Sequence, residues 1–240
     1  MGAAPPGNRL GRVLRVGTFT ALQRNPNYRL YWIGALTSNL GTWMQFVAQG
    51  WLVYELTGST LMLGVVGFAQ SAPFLVLSLY GGVLADRFER RRLMVWTQSG
   101  MMLHGFVLAG MTLTGTVTAW WVVALAAIYG AINAINTPVR QAIVADLVRR
   151  DDLQNAIALN SLQFQSSRTV GPAIAGLVLA TYGAGWCFLA NALSFIAVIF
   201  TLLRMDLPPW NLGLGRPRSP RSGSPSGTSS RSRSCSLRFC

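Results

Sequence analysis

The sequence predicts an all-α integral membrane fold of six transmembrane helices. Six long apolar stretches, each near the roughly 20 residues that cross a hydrocarbon layer of about 30 Å, are separated by five short connections. Arginines fall only in every second connection. Of the 240 residues, 51% are hydrophobic and 11% charged, too apolar a balance for one water-soluble core of that length. Lipid offers no partner to backbone N–H and C=O groups, so runs this long must be helical.

The chain divides into a basic lead (1–27), a six-helix bundle (28–206) and a tail (207–240). Within the lead, residues 13–22 mix apolar side chains with arginine and read equally as a surface-lying segment or a flexible one. The first apolar run is too long for a cleavable signal and is followed by others, so it is expected to act as an uncleaved insertion signal. Asn25-Pro26-Asn27 is a helix-start sequence ahead of the first span, 30–54. The turn Thr57-Gly58-Ser59 leads to the second span, 61–85, and the arginine-rich second connection to the third, 93–113. The fourth span, 120–139, is followed by Arg140, Arg149 and Arg150, the fifth covers 153–181, and Tyr182-Gly183-Ala184-Gly185 turns into the sixth, 186–203. Connections 55–60, 114–118 and 182–185 contain no Lys or Arg. Basic residues resist translocation, which places both ends of the bundle on the cytoplasmic side of the cell membrane.

The tail is mostly Arg, Ser, Pro and Gly without an acidic residue, a composition expected to be disordered. Every basic residue of the chain is arginine, as GC-rich coding gives, and such DNA read out of frame yields this mixture. The tail is therefore expected to be a frameshifted end of a gene that once continued.

The net charge of +13 has the sign of a nucleic-acid-binding surface but not its placement. Six arginines lie in the last thirty residues and most others flank helices, which describes a lipid-facing rim. Cys187, Cys235 and Cys240 have neither metal-ligand spacing nor a disulfide framework, and no nucleophile accompanies a base. No catalytic residue, metal or cofactor is expected, and no nucleic-acid partner.

Polar residues at membrane depth form stripes. Ser38, Thr42, Gln45 and Gln49 share one face of the first span, and Tyr129, Asn133, Asn136 and Arg140 one face of the fourth. On the fifth, Ser161, Gln165, Arg168 and Pro172 share a face, and Asn160, Gln163 and Ser167 another. Arg168, about halfway along, reads either as an anion-recognising group or as one that snorkels or serves structure. All seven acids lie at helix ends or in connections, leaving His104 as the one side chain at depth that titrates near neutrality; packing is the commoner role for such a histidine.

The second connection, Gly82-Val83-Leu84-Ala85-Asp86-Arg87-Phe88-Glu89-Arg90-Arg91-Arg92, resembles the signature loop of the major facilitator superfamily. The spacing is a Gly, three residues, Asp-Arg, two residues and a basic pair, with Glu89 where glycine is usual. Asn25-Pro26-Asn27-Tyr28-Arg29, Thr137-Pro138-Val139-Arg140-Gln141-Ala142 and Val170-Gly171-Pro172 are similar to the branch containing siderophore (enterobactin) exporters.

The resemblance implies one six-helix half of a twelve-helix transporter, made of two three-helix inverted repeats, with substrate bound between the halves. It makes Gly82, Asp86, Arg87, Arg90 and Arg91 a cytoplasmic gating loop, with Asp86 and Arg87 the gating pair and Arg92 an anchor; topology anchoring alone is the other reading. It makes Thr42, Gln45, Gln49, Asn133, Asn136, Arg140 and Arg168 substrate-path candidates, against interhelical hydrogen bonding as the alternative. Gly171, Pro172 and Gly176 resemble part of an antiporter motif in which small residues bring helices together, although Ser167 and Ala175 stand where glycines are expected. The implied function is secondary active export of siderophore- or drug-like small molecules by alternating access. Protons are a candidate coupling ion, and a second six-helix unit is needed. The competing reading is a six-helix scaffold or regulator that transports nothing.

Overall fold

The computed structural model describes residues 20–205, apart from the side chains of Ala85 and Asp86. The expectations for residues 1–19 and for the tail fall outside the described residues. Helix α1 covers Thr20–Arg24, α2 Pro26–Thr57, α3 Thr60–Arg87, α4 Arg90–Leu113, α5 Ala119–Leu147, α6 Leu153–Tyr182 and α7 Ala184–Arg204. A 3-10 turn, Arg150–Asp152, precedes α6, and there is no strand among the described residues. Three helical segments, Thr60–Leu84, Ala119–Leu147 and Ala184–Arg204, are long and apolar enough to cross a membrane by length and composition. Helices α2, α4 and α6, of 32, 24 and 30 residues, are of similar length but carry more polar side chains.

Local chemistry sets the helix ends. Pro26 opens α2 where its missing N–H interrupts no helical bond. Gly58, Gly115 and Gly183 adopt φ of 61°, 71° and 86°, and all three stand in the arginine-free connections, which close as tight turns. The connections at the other end instead pass through extended Phe88 and Val148. The fourth apolar run extends further than its sequence span: α5 continues through Pro138 to Leu147. Pro138 has no N–H to give the Ala134 carbonyl, and that carbonyl oxygen occupies the place a Cβ on Gly81 of α3 would take. On the same interface the Gln70 carbonyl of α3 fills the space beside Gly130 of α5. A carbonyl without its helical donor is thus accommodated where the partner has no side chain.

Helix α3 packs mainly on α5, α2 on α7 and α6, and α4 on α7 and α5. Exchanging α2, α3 and α4 for α5, α6 and α7, in that order, leaves this set of partners unchanged. One apolar cluster near the arginine-bearing end includes Tyr28, Tyr31, Ile143 and Leu202; another near the glycine turns includes Val53, Leu108, Val122 and Phe188. Buried polar residues, among them Ser38, Gln45, Gln98, Asn136 and Asn191, lie along the helices between these clusters. The outer surface is the reverse of a water-soluble protein's: Leu61, Phe68 and Leu79 of α3 are 76%, 73% and 80% exposed. Such an apolar exterior belongs in lipid.

Candidate functional site: a polar concavity

A concavity of about 700 Å³ opens among α2, α5 and α6. Helix α2 contributes Ser38, Asn39, Thr42 and Trp43, α5 contributes Tyr129, Asn133, Asn136, Thr137 and Arg140, and α6 contributes Asn160, Ser161, Phe164 and Gln165. Arg140 is half-buried, and its Nη1 donates to Asn39 Oδ1 at 2.9 Å. Its guanidinium lies within electrostatic reach of the Tyr31 and Tyr129 hydroxyls. At the back, Asn136 Oδ1 accepts from Thr97 Oγ1 at 3.1 Å and from Gln98 Nε2 at 3.4 Å, tying α5 to α4. None of the described lining residues is a carboxylate.

Of the substrate-path candidates, Thr42, Asn133, Asn136 and Arg140 meet here. Gln45 turns away: its Oε1 accepts from Asn191 Nδ2 at 2.7 Å, across the α2–α7 contact that Gly41 keeps close. Gln49 faces a separate, mainly apolar hollow of about 510 Å³ between α2 and α3. Arg168 is exposed on α6, its guanidinium 5.5 Å from the ring centroid of Trp43, a cavity-lining residue. Gly171 brings α6 onto α2, since a Cβ there would meet Trp43 Cβ at 2.6 Å and Leu40 O at 3.2 Å; Pro172 follows it within the helix, and Gly176 faces open space. His104 is buried with its ring 5.4 Å from Tyr129.

At the arginine-bearing end the loop residues make contacts of their own. Arg90 pairs with Asp146 of α5 at 2.7 Å, Arg91 Nη2 donates to the Leu203 carbonyl of α7 at 2.6 Å, and Arg92 pairs with Glu89 at 2.7 Å. Arg87 is exposed, and the Asp86 side chain is outside the described residues. Gly82 has open space where a Cβ would go; the close backbone approach falls one residue earlier, at Gly81. The segment before α2 is docked too. Buried Asp152 accepts from Asn25 Nδ2 at 3.3 Å and faces Arg24 at 3.5 Å, and Tyr28 Oη donates to the Ala156 carbonyl at 2.9 Å.

Sequence reasoning did not single out Asn39, Gln98, Asp146, Asp152, Gly81 or Gly130. Asn39 sits one residue off the Ser38–Thr42 stripe, and a polar residue beside a stripe was the available signal. The glycine seats carry no signal, because a glycine that receives a carbonyl and one that faces space look alike in sequence.

A bundle of long helices with an apolar exterior and a polar, arginine-bearing concavity fits a membrane transporter. The chain belongs to the major facilitator superfamily: the family described as "Transmembrane secretion effector" matches residues 16–210. Among its relatives is the Staphyloferrin A transporter of Staphylococcus aureus, 35% identical over 165 residues, which cover 68% of this chain and 42% of that protein. The enterobactin exporter EntS of Shigella flexneri is 29% identical over 195 residues, 78% of this chain and 46% of the relative. An uncharacterized MFS-type transporter, YfiS of Bacillus subtilis, is 27% identical over 172 residues, 70% of this chain and 40% of the relative. The chain thus spans less than half the length of the curated relatives it matches.

Proposed function

We propose that the chain is the N-terminal half of a secondary active exporter of siderophore-like small molecules, working by alternating access with a second six-helix unit. The observation that carries this reading is the polar concavity on α2, α5 and α6, which places Arg140 and several amides on one open side of an otherwise apolar bundle. Six crossings follow if α2, α4 and α6 span with the other three; Asn39, Gln45 and Gln49 of α2 and Gln98 of α4 are turned inward. The exchange-invariant set of helix partners supports two inverted three-helix repeats. Arginine placement supports both ends being cytoplasmic. The names of the relatives support siderophores as the substrate class and export as the direction. In this reading Arg90 and Arg91 hold the cytoplasmic ends of α4, α5 and α7 together, Asp86 and Arg87 are the gating pair, and Arg168, beside Trp43, borders the path. Protons are the coupling ion, with the coupling carboxylate on the second half.

The test is substrate-dependent flux in liposomes holding this chain with a matching C-terminal half, compared with either half alone. Flux only in the combined sample is expected. Folded but inert protein in every sample would favour a membrane scaffold. Topology is checked separately: cysteines placed at positions 91 and 115 of a cysteine-free chain should label from opposite sides of the membrane, and labelling from one side overturns the six-span arrangement.

A further inference from the structure

The charge balance within the concavity is one-sided. Arg140 spends one of its five N–H donors on Asn39 Oδ1, a neutral acceptor, and no described lining residue supplies a negative charge. Asp146, Asp152 and Glu89 are engaged by other partners: Asp146 by Arg90, Asp152 by Arg24 and Asn25, Glu89 by Arg92. Beside the guanidinium, Asn39 is 8% exposed and its Nδ2 has no partner. A cation and an unmet amide donor therefore converge at one place, where a buried polar group without a partner is costly.

We propose that this is a carboxylate subsite: Arg140 forks onto one carboxylate of an organic anion, Asn39 Nδ2 donates to the same group, and Trp43 and Phe164 flank the remainder of the molecule. The inference rests on the transport reading for its purpose and names the substrate class, a small organic carboxylate. The guanidinium geometry suits it, because two parallel N–H donors match two carboxylate oxygens. An ammonium or neutral macrocyclic substrate would leave Arg140 unneutralised.

The test uses radiolabelled citrate as probe and the full 240-residue chain in phosphatidylcholine nanodiscs. Saturable citrate binding is expected, with triethyl citrate, the same skeleton without charge, failing to compete. Arg140→Gln should weaken binding at least 10-fold and Arg140→Lys less, whereas Arg92→Gln, in the exposed first turn of α4, should leave it unchanged. Asn39→Asp keeps the shape and the Arg140 contact but neutralises the site from within, and should abolish binding in a protein that remains monodisperse. Equal competition by triethyl citrate, or wild-type binding by Asn39→Asp, overturns the proposal. So does competition by phosphatidylglycerol doped into the nanodisc, which would reassign the site to a lipid headgroup. Citrate binding without flux in the two-half liposomes would sink the transport reading and leave the subsite standing; flux indifferent to Arg140→Gln would do the opposite.

Discussion

Helix α5 has two working sides, and they are built by opposite means. Toward α3 it presents Gly130 and the Ala134 carbonyl, and at these two points the helices meet backbone against backbone. Toward α2 it presents Tyr129, Asn133, Asn136 and Arg140, and a concavity of about 700 Å³ remains. The apolar effect cannot explain the first contact in lipid, where tails are as apolar as leucine; close packing and backbone dipoles must. The second side cannot be left to lipid at all, because amides and a guanidinium need partners. One helix thus serves as wall and as lining, and side-chain size at a few positions decides which.

The sharpest way to break this contrast is Gly130→Leu. The Gln70 carbonyl already stands where the new Cβ must go, so overpacking should cost about 3 kcal/mol or more, read as loss of monodisperse protein and a collapsed thermal midpoint. Next is Asn136→Ala, at the back of the concavity. It strips the acceptor from Thr97 and Gln98 and should cost about 1 kcal/mol in detergent unfolding. Arg90→Gln removes a partly exposed ion pair, so its cost should be only about 0.5 kcal/mol and should shrink as salt is raised. Smallest are Asn133→Ala and Gly82→Ala. Asn133 is half-buried in the concavity and Gly82 has nothing within 4 Å, so both should leave the thermal midpoint within error of wild type; a large loss at either would erase the distinction between the sides.

Much of the fold was legible because bilayer thickness dictates run length and arginine marks alternate connections. The ends of the third and sixth apolar runs match α4 and α7 to within a residue at their C-termini. The end of α5 was not legible: the apolar run ends at 139, and only the arrangement of α3 shows how the helix accommodates Pro138 and continues to Leu147. Asn133, Asn136 and Arg140 could be read as one face because helical periodicity aligns them, and the family resemblance implied that the Thr42 stripe of α2 joins them. Gln45 and Gln49 could not be separated from Thr42 that way, since periodicity gives an angle around a helix and not the identity of the neighbour at that angle. Gln45 found Asn191, 146 positions along the chain. The ion pairs of Asp146 and Asp152 were hidden for the same reason: each partner lies on a different helix, and charge patterning along one segment cannot choose among several arginines at the same level.

The proline-freed carbonyl of Ala134 also has a spectroscopic consequence. A single carbon-13, oxygen-18 label at that peptide would vibrate apart from the amide I band, at a frequency set by its contact with Gly81 rather than by a helical N–H. Infrared difference spectra on citrate addition would then report whether α3 and α5 keep that contact or slide past each other.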